Sequence, residues 1–507
     1  MADETVLQSE KAEARDWIGL AVLALPCVLY SMDLTVLHLA VPQITAALKP
    51  SSSELLWIVD IYGFMVAGAL ITMGTLGDRI GRRRMLLIGA AVFGATSAIA
   101  AFSTSAEMLI AARALQGLAA ATLAPSTLSL IRNMFRDDRE RAFAIGVWIA
   151  CFSAGAAVGP VVGGAILAHF WWGAVFLINV PVMLLLLALG PYLLPEFRDP
   201  NAGRIDVVSA AQSMVAVLAI IYGIKRIAEA GWAPLPLFTI GVGVLIGTYF
   251  FQRQSERADP LIDVGLFRVP GFSAALATNI VALFVVFGTF LFIAQYLQLV
   301  LGMGPLEAGL WTAPSGIVFA LGSVAAPFLV RRFEPYVVIS VGFVISAVGF
   351  LLLTQLSAVT SPWLLFAGMM IFCLGMAPTG AITTDIVMAK APPERAGEAS
   401  GISETSFEFG GALGIAVLGS LVTAIYRSTM EGKALPGVPP QSVEAARDTL
   451  GGAVDAAAHL GSPAGPTLLA ASRDAFVHAF EFASAVSAAG AVGAAIFAAL
   501  VLKNGRR

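Results

Sequence analysis

Charge is what this chain has least of. Asp, Glu, Lys and Arg together make up 12% of its 507 residues, whereas apolar side chains supply 58% and mean hydropathy is +0.85. A water-soluble fold of this length could not hide that much apolar surface, so an integral membrane protein is implied. The short alternating segments of an outer-membrane barrel are missing, and apolar runs of about 20 residues stand in their place. Such runs span lipid as helices, because lipid offers backbone amides no outside partner. Cysteine is scarce too. Cys27, Cys151 and Cys373 lie in separate apolar runs, which excludes a disulfide framework and a thiolate metal site and leaves small packing residues. The four histidines, His38, His169, His459 and His478, are scattered, and no nucleophile elbow or phosphate loop occurs. An enzyme is therefore not expected, nor a metal or other cofactor. The net charge of −3 is uninformative about partners, because most charges lie in loops and serve topology, and no nucleic-acid partner is expected. The first 17 residues carry five acids against two bases, which does not fit a cleavable signal peptide.

Fourteen helices are predicted, near 17–41, 54–75, 85–103, 107–131, 142–168, 172–194, 206–225, 235–252, 272–300, 306–330, 336–357, 362–386, 400–425 and 475–502. An even number returns the chain to its starting side. Basic residues crowd the loops after even-numbered helices, from Arg79, Arg82, Arg83 and Arg84 through Arg132, Arg136, Arg139 and Arg141 to Arg253, Arg257, Arg331, Arg332 and Lys390. The short loops after odd-numbered helices hold only Lys49, Lys225 and Arg226. By the positive-inside bias both termini are expected in the cytoplasm. The expected organisation is a cytoplasmic N-terminus (1–16), a six-helix bundle (17–194), a linker with two extra transmembrane helices (195–271), a second six-helix bundle (272–502) and a cytoplasmic C-terminus (503–507). One loop, 427–473, is long and rich in Ala, Gly and Pro. It is expected outside as a folded hairpin, with short helices near 441–450 and 466–474 and apolar contacts from Leu435, Leu450, Leu460 and Leu468.

Within this apolar background stand four acids, Asp33, Asp60, Glu404 and Glu408. A charge at the bilayer centre costs at least about 2.5–3.5 kcal/mol on insertion scales, so such residues normally face a protein-lined cavity and serve a function. A rise of about 1.5 Å per residue puts Asp33 and Asp60 roughly 6 Å outward from the middle of their helices, and Glu408 roughly 6 Å inward, with Glu404 one turn away on the same face. Arg113 is the one deep cation expected. It cannot realistically lose its proton, so it needs a carboxylate, carbonyl or water beside it. The expected division gives proton coupling to Asp33, Arg113 and Glu408, and cation contact to Asp33, Asp60, Glu404 and Glu408. Walls for a greasy cation need aromatic faces. Tyr30, Trp57, Tyr62, Trp148 and Phe152 are candidates in the first half. Phe287, Trp311, Met376 and Phe407 are candidates in the second.

Three motifs concern movement rather than cargo. In GTLGDRIGRRR, Gly74 to Arg84, Gly77 and Gly81 allow a tight turn while Asp78, Arg79, Arg82 and Arg83 can bridge helix ends. In LIAARALQG, Leu109 to Gly117, Arg113 and Gln116 sit inside the fourth predicted helix. In GAAVGPVVGG, Gly155, Gly159 and Gly163 share one face and admit a close neighbour, Pro160 adds a bend, and Gly164 completes the run. These three motifs resemble those of the major facilitator superfamily. MDLTVLHLAVP at 32–42, LWIVDIY at 56–62, FLINVP at 176–181, PLIDVGLF at 260–267, QYLQLVLG at 295–302 and GISETSFEFGGALG at 401–414 narrow the resemblance to its fourteen-helix drug:proton antiporters. The branch exporting quaternary ammonium compounds and cationic dyes is the most similar.

The resemblance covers nearly the whole chain except the outer loop and the termini. It implies two six-helix bundles with two extra central helices, and a monomeric multi-pass protein of the bacterial cytoplasmic membrane among membrane lipids. It also implies efflux of lipophilic cationic drugs, driven by the proton gradient, with the glycine-rich fifth helix shaping the interface on which the halves rock. The alternative is export of another small metabolite, an amino acid, siderophore or lipid, because this fold serves many cargoes. The second-half counterpart of the glycine-rich loop, VRRFEPY at 330–336, is degenerate, so gating is expected mainly from the first half. His38 stands where many relatives have Asn.

Overall fold

A computed structural model describes residues 11–198, 206–257, 260–359, 361–391, 396–433 and 435–503. The described residues are helical wherever they are regular, and fourteen of their helices are long and apolar enough to cross a membrane. The first half comprises α1 (Ala14–Leu48), α2 (Ser52–Ile80), α3 (Arg82–Ala101), α4 (Ala106–Met134) and α5 (Asp138–His169), closed by a span broken into α6 (Ala174–Leu177) and α7 (Asn179–Leu193). Then come α8 (Val207–Ala230) and α9 (Pro234–Glu256). The second half runs through α10 (Pro270–Gln295), α11 (Pro305–Val330), α12 (Pro335–Leu353), α13 (Pro362–Lys390) and α14 (Ala396–Glu431). Two short helices, α15 (Pro440–Asp448) and α16 (Leu450–Ala458), precede the last span, α17 (Ala464–Phe497).

The sequence starts these helices in recognisable ways. Ser51 and Glu54 form a reciprocal capping box at α2, Ser105 caps α4, and Asp137 accepts from the Arg139 and Glu140 amides at α5. From α9 to α13 every helix opens with a proline, whose missing N–H is one of the unpaired donors of a first turn anyway. Where α8 begins and α9 ends, burial raises the Asp206 carboxyl, yet hydrogen bonds from Ser209 and the Arg253 guanidinium outweigh it and hold the carboxyl below the usual range.

An even number of crossings divides the bundle into a face bearing the termini and an opposite face bearing α15 and α16. Small residues set how closely the helices approach. A β-carbon on Gly155 would lie 2.2 Å from the Val28 carbonyl oxygen, one on Gly159 would lie 2.2 Å from Thr35 Oγ1, and one on Gly163 would lie 2.6 Å from Val36, so the predicted glycine face of α5 lies on α1. Its neighbouring face serves α11: a β-carbon on Gly164 would lie 2.6 Å from the Pro305 oxygen, and one on Gly309 would lie 2.2 Å from the Pro160 oxygen. The halves also meet where Leu56 of α2 presses on Gly419 of α14. These contacts join the halves near the face bearing α15 and α16, and α2 and α14 meet again toward the opposite face, where a β-carbon on Gly401 would lie 3.7 Å from Ile71.

Several expected boundaries shift. The last span begins at Ala464, so residues 466–474 are its first turns rather than a loop helix, and the connection shortens to 432–463. Its hairpin is folded: Leu450 and Leu468 are buried, Ser52 donates to the Asp448 carbonyl at 2.5 Å, and Lys49 lies 3.7 Å from Asp455. The expected seventh helix, 206–225, runs instead to Ala230 and stops at Gly231, whose φ of 78° an L side chain rarely adopts. Lys225 is thereby moved out of a loop and into a span. Of the extra helices, α8 packs against α2 and α14, and α9 packs on α8. The first of them is thereby part of the wall of both halves rather than a linker alone.

Candidate functional site

The centre of the first half is an ion pair between two residues that the sequence singled out, and it supplies the partner that Arg113 was expected to need. Arg113 Nη1 donates to Asp33 Oδ2, and the two side chains are almost entirely withdrawn from the surface. Around them the remaining polar atoms are supplied by neighbouring helices. Arg113 Nη1 also donates to Gln116 Oε1 at 3.0 Å, Gln116 Nε2 donates to Ser97 at 2.9 Å, and Asn179 Nδ2 reaches both Asp33 Oδ1 at 3.4 Å and Ser97 at 3.3 Å. The Tyr62 ring lies 4.5 Å from the guanidinium carbon and the Phe176 ring 5.7 Å away. A buried pair is favourable only when its other lone pairs and protons are satisfied, and this shell does that for Asp33. Arg113 Nε and Nη2 have no hydrogen-bond partner and rest on aromatic faces instead.

Glu408 has a different environment. It is 4% exposed on α14 and accepts a hydrogen bond of 2.6 Å from the Tyr30 hydroxyl of α1, so one contact joins the two halves. Tyr30 leans on Phe152 at 5.5 Å and Tyr62 at 6.2 Å, and Phe152 in turn meets Trp148 at 4.8 Å. Trp148 Nε1 donates to Thr127 at 3.0 Å. Thus Tyr30, Tyr62, Trp148 and Phe152 form one continuous aromatic wall. It runs from the Arg113 pair to the Glu408 carboxylate, and Glu404 stands one turn from Glu408, half-buried. Phe407 faces Phe287 at 6.1 Å and is 38% exposed, on the side of α14 away from Tyr30.

Other expected contacts lie elsewhere. Asp60 faces α8, where Lys225 Nζ lies 2.7 Å from both of its carboxylate oxygens, and neither side chain has any exposed surface. Trp57 covers that ammonium, its ring centroid 3.6 Å away. Arg113 is therefore not the one deep cation. Trp311 packs against Trp363 and Phe366, apart from the aromatic wall, and Met376 is buried in the core of the second half. His38 is buried on α1 one turn beyond Asp33.

The turn between α2 and α3 forms a compact knot. Asp78 pairs with Arg82, whose Nε lies 2.7 Å from Oδ1, and Gly77 leaves room for that guanidinium. Gly81 has φ 115°, and a β-carbon there would lie 2.5 Å from Glu196 Oε1. Arg83 donates to the Pro191 and Leu194 carbonyls, its amide donates to Glu196 at 3.0 Å, and Arg84 lies 3.9 Å from the same acid. Arg79 is exposed, and Gly74 touches Pro125 at ordinary distance. Asp78 thus bridges the ends of α2 and α3, as expected, and a second bridge runs from Arg83 and Arg84 to Glu196, beyond α7.

Sequence reasoning missed four of these partners. Asn179 and Ser97 look like ordinary helix residues until folding places them on Asp33. Glu196 lies after the span it fixes. Lys225 had one available signal: Gly231, the stop that extends α8 past it.

A family model for the Major Facilitator Superfamily matches residues 23–415. The chain is 43% identical over 466 residues to the multidrug efflux pump LfrA of Mycolicibacterium smegmatis, covering 92% of each. It is 34% identical to the methyl viologen resistance protein SmvA of Salmonella typhimurium, covering 94% of this chain and 96% of the relative. Among solved structures, a bacterial homologue of the human lysosomal transporter Spinster, inward-facing and unoccupied, superposes with a TM-score of 0.66 at 18% identity, covering 97% of this chain and 98% of that one. With a match over most of its length, fourteen helices long and apolar enough to cross a membrane and a buried charged pair at the centre of its first half, the chain belongs to the Major Facilitator Superfamily.

Proposed function

We propose that this protein is a proton-coupled exporter of lipophilic cations, taking drugs, dyes and quaternary ammonium biocides out across the bacterial cytoplasmic membrane. The observation that carries the reading is Glu408. It is an embedded acid with no cation on it among the described contacts, hydrogen-bonded across the two halves by Tyr30 and flanked by the aromatic wall of Phe152 and Trp148. A carboxylate beside ring faces recognises an organic cation, and the same carboxylate can hold a proton instead. Competition between the two couples their movements in opposite directions.

Asp33 and Arg113 supply the second element. A proton on Asp33 would release the guanidinium it now neutralises, and the shell of Gln116, Ser97 and Asn179 would have to rearrange with it. In this reading the face bearing α15 and α16 is the outer one and the termini are cytoplasmic, as the distribution of arginines favours. A proton entering from outside contributes about 1.4 kcal/mol per pH unit. Each net charge moved contributes about 2.3 kcal/mol per 100 mV. No cofactor is required and one chain suffices. The names of relatives support the cargo class: one is a multidrug efflux pump, and another confers resistance to methyl viologen, a flat aromatic dication.

Everted vesicles containing the protein test the proposal. On energisation they are expected to accumulate a fluorescent lipophilic cation, and to stop when the pH gradient is collapsed with voltage maintained. Accumulation that follows voltage alone, or that prefers anionic and neutral dyes, refutes it.

A further inference from the structure

The cation of the Asp60 pair is an ammonium on the extra helix α8, and it sits against a carboxylate and a ring face suited to an organic ammonium. Lys225 Nζ meets both oxygens of Asp60 at 2.7 Å and the face of Trp57 at 3.6 Å, and Trp57 packs in turn against an apolar cluster of Phe64, Ile221, Ala412 and Ala416 from α2, α8 and α14. A carboxylate plus a ring face is the chemistry that selects quaternary and alkylammonium ligands. Here the ligand is tethered, on a four-carbon stem from an extra helix. A lysine in a span costs about 2.5–3.5 kcal/mol on insertion scales, a cost that helix packing alone gives no reason to carry.

We propose that Lys225 is a specificity-determining residue, an internal ammonium that fills a latent organic-cation site made by Trp57 and Asp60. Filling it removes Asp60 from the cargo's reach. With Asp33 neutralised by Arg113 and Asp60 by Lys225, Glu404 and Glu408 are the embedded acids left to attract cargo. The extra helix α8 thereby sets how much negative charge the pathway presents. Methylene for methylene, the lysine side chain occupies the volume that a short alkylammonium would need.

The test has two arms. In the first, purified Lys225→Ala in detergent is titrated with n-propylammonium chloride while its melting temperature is followed. A saturable rise is expected in Lys225→Ala, absent with sodium chloride at equal concentration and absent in both the wild type and Lys225→Ala/Asp60→Asn. No rise in Lys225→Ala, or the same rise in the double variant, overturns the proposal. The second arm holds even where Lys225→Ala does not fold, and it alone rests on the cation-export reading. Asp60→Asn strands an ammonium in the core and is expected to lose export by tenfold or more. Asp60→Asn/Lys225→Gln removes both charges and should export a monovalent cation within about threefold of wild type. A double variant as defective as the single one would mean that Asp60 acts directly on proton or cargo. A wild type that exports no cation refutes the function proposed above and leaves the titration arm readable.

Discussion

Replacing Gly309 by alanine should weaken the closure of α5 against α11 near the face bearing α15 and α16. The added methyl would stand 2.2 Å from the Pro160 carbonyl oxygen, where ordinary contact requires more than 3 Å, so α5 and α11 must separate by about 1 Å at this point. Overpacking of this kind costs typically 1–3 kcal/mol, and it is felt only in the conformation that brings the two helices together. Each 1.4 kcal/mol is a factor of ten, so the ratio of molecules with α5 and α11 together to those with them apart should fall about 5- to 150-fold. Spin labels at His169 and Glu307, both exposed at the ends of these helices, would report the change as growth of a longer-distance population in pulsed electron resonance. Cys151, the one cysteine not fully buried, should first be replaced. Gly241→Ala is the control: nothing lies within 4 Å of its β-carbon, and the distance distribution should not move. An unchanged distribution in Gly309→Ala would show that the contact at Gly309 does not hold α5 and α11 together.

Three further substitutions bear on other parts of the site. Asp33→Asn leaves Arg113 buried with no carboxylate, a loss typically of 3–5 kcal/mol, and should abolish proton-coupled export while Asp33→Asn/Arg113→Gln recovers thermal stability; full export by Asp33→Asn would remove this residue from coupling. Glu408→Gln should weaken dications more than monocations in competition assays, whereas equal losses would count against cargo contact. Gly81→Ala forces an L side chain into φ 115° and against Glu196, so the melting temperature should drop by several degrees, more than for Gly74→Ala, whose site is open.

Much of the site was legible before any coordinates. Asp33, Arg113 and Glu408 stood out because charge is costly in lipid, and folding does put Arg113 on Asp33 and Tyr30 on Glu408. The glycines of α5 were legible for a similar reason: a four-residue period of the smallest side chain marks a face that another backbone will touch, and Gly155, Gly159 and Gly163 touch α1. Partners from distant helices were not legible. Trp57 and Asp60 carry the same chemistry in the sequence as Tyr30 and Glu408, yet they turn toward α8 and Lys225.

The chain alone thus determined the number of spans, the scarcity and position of buried charge and the surfaces of close approach, since hydropathy and residue size are local properties that lipid reads directly. Only the tertiary structure decided which acid received which cation. Pairing depends on helix rotation and on neighbours more than 150 positions apart, as with Asp60 and Lys225, and a one-dimensional pattern holds no record of either.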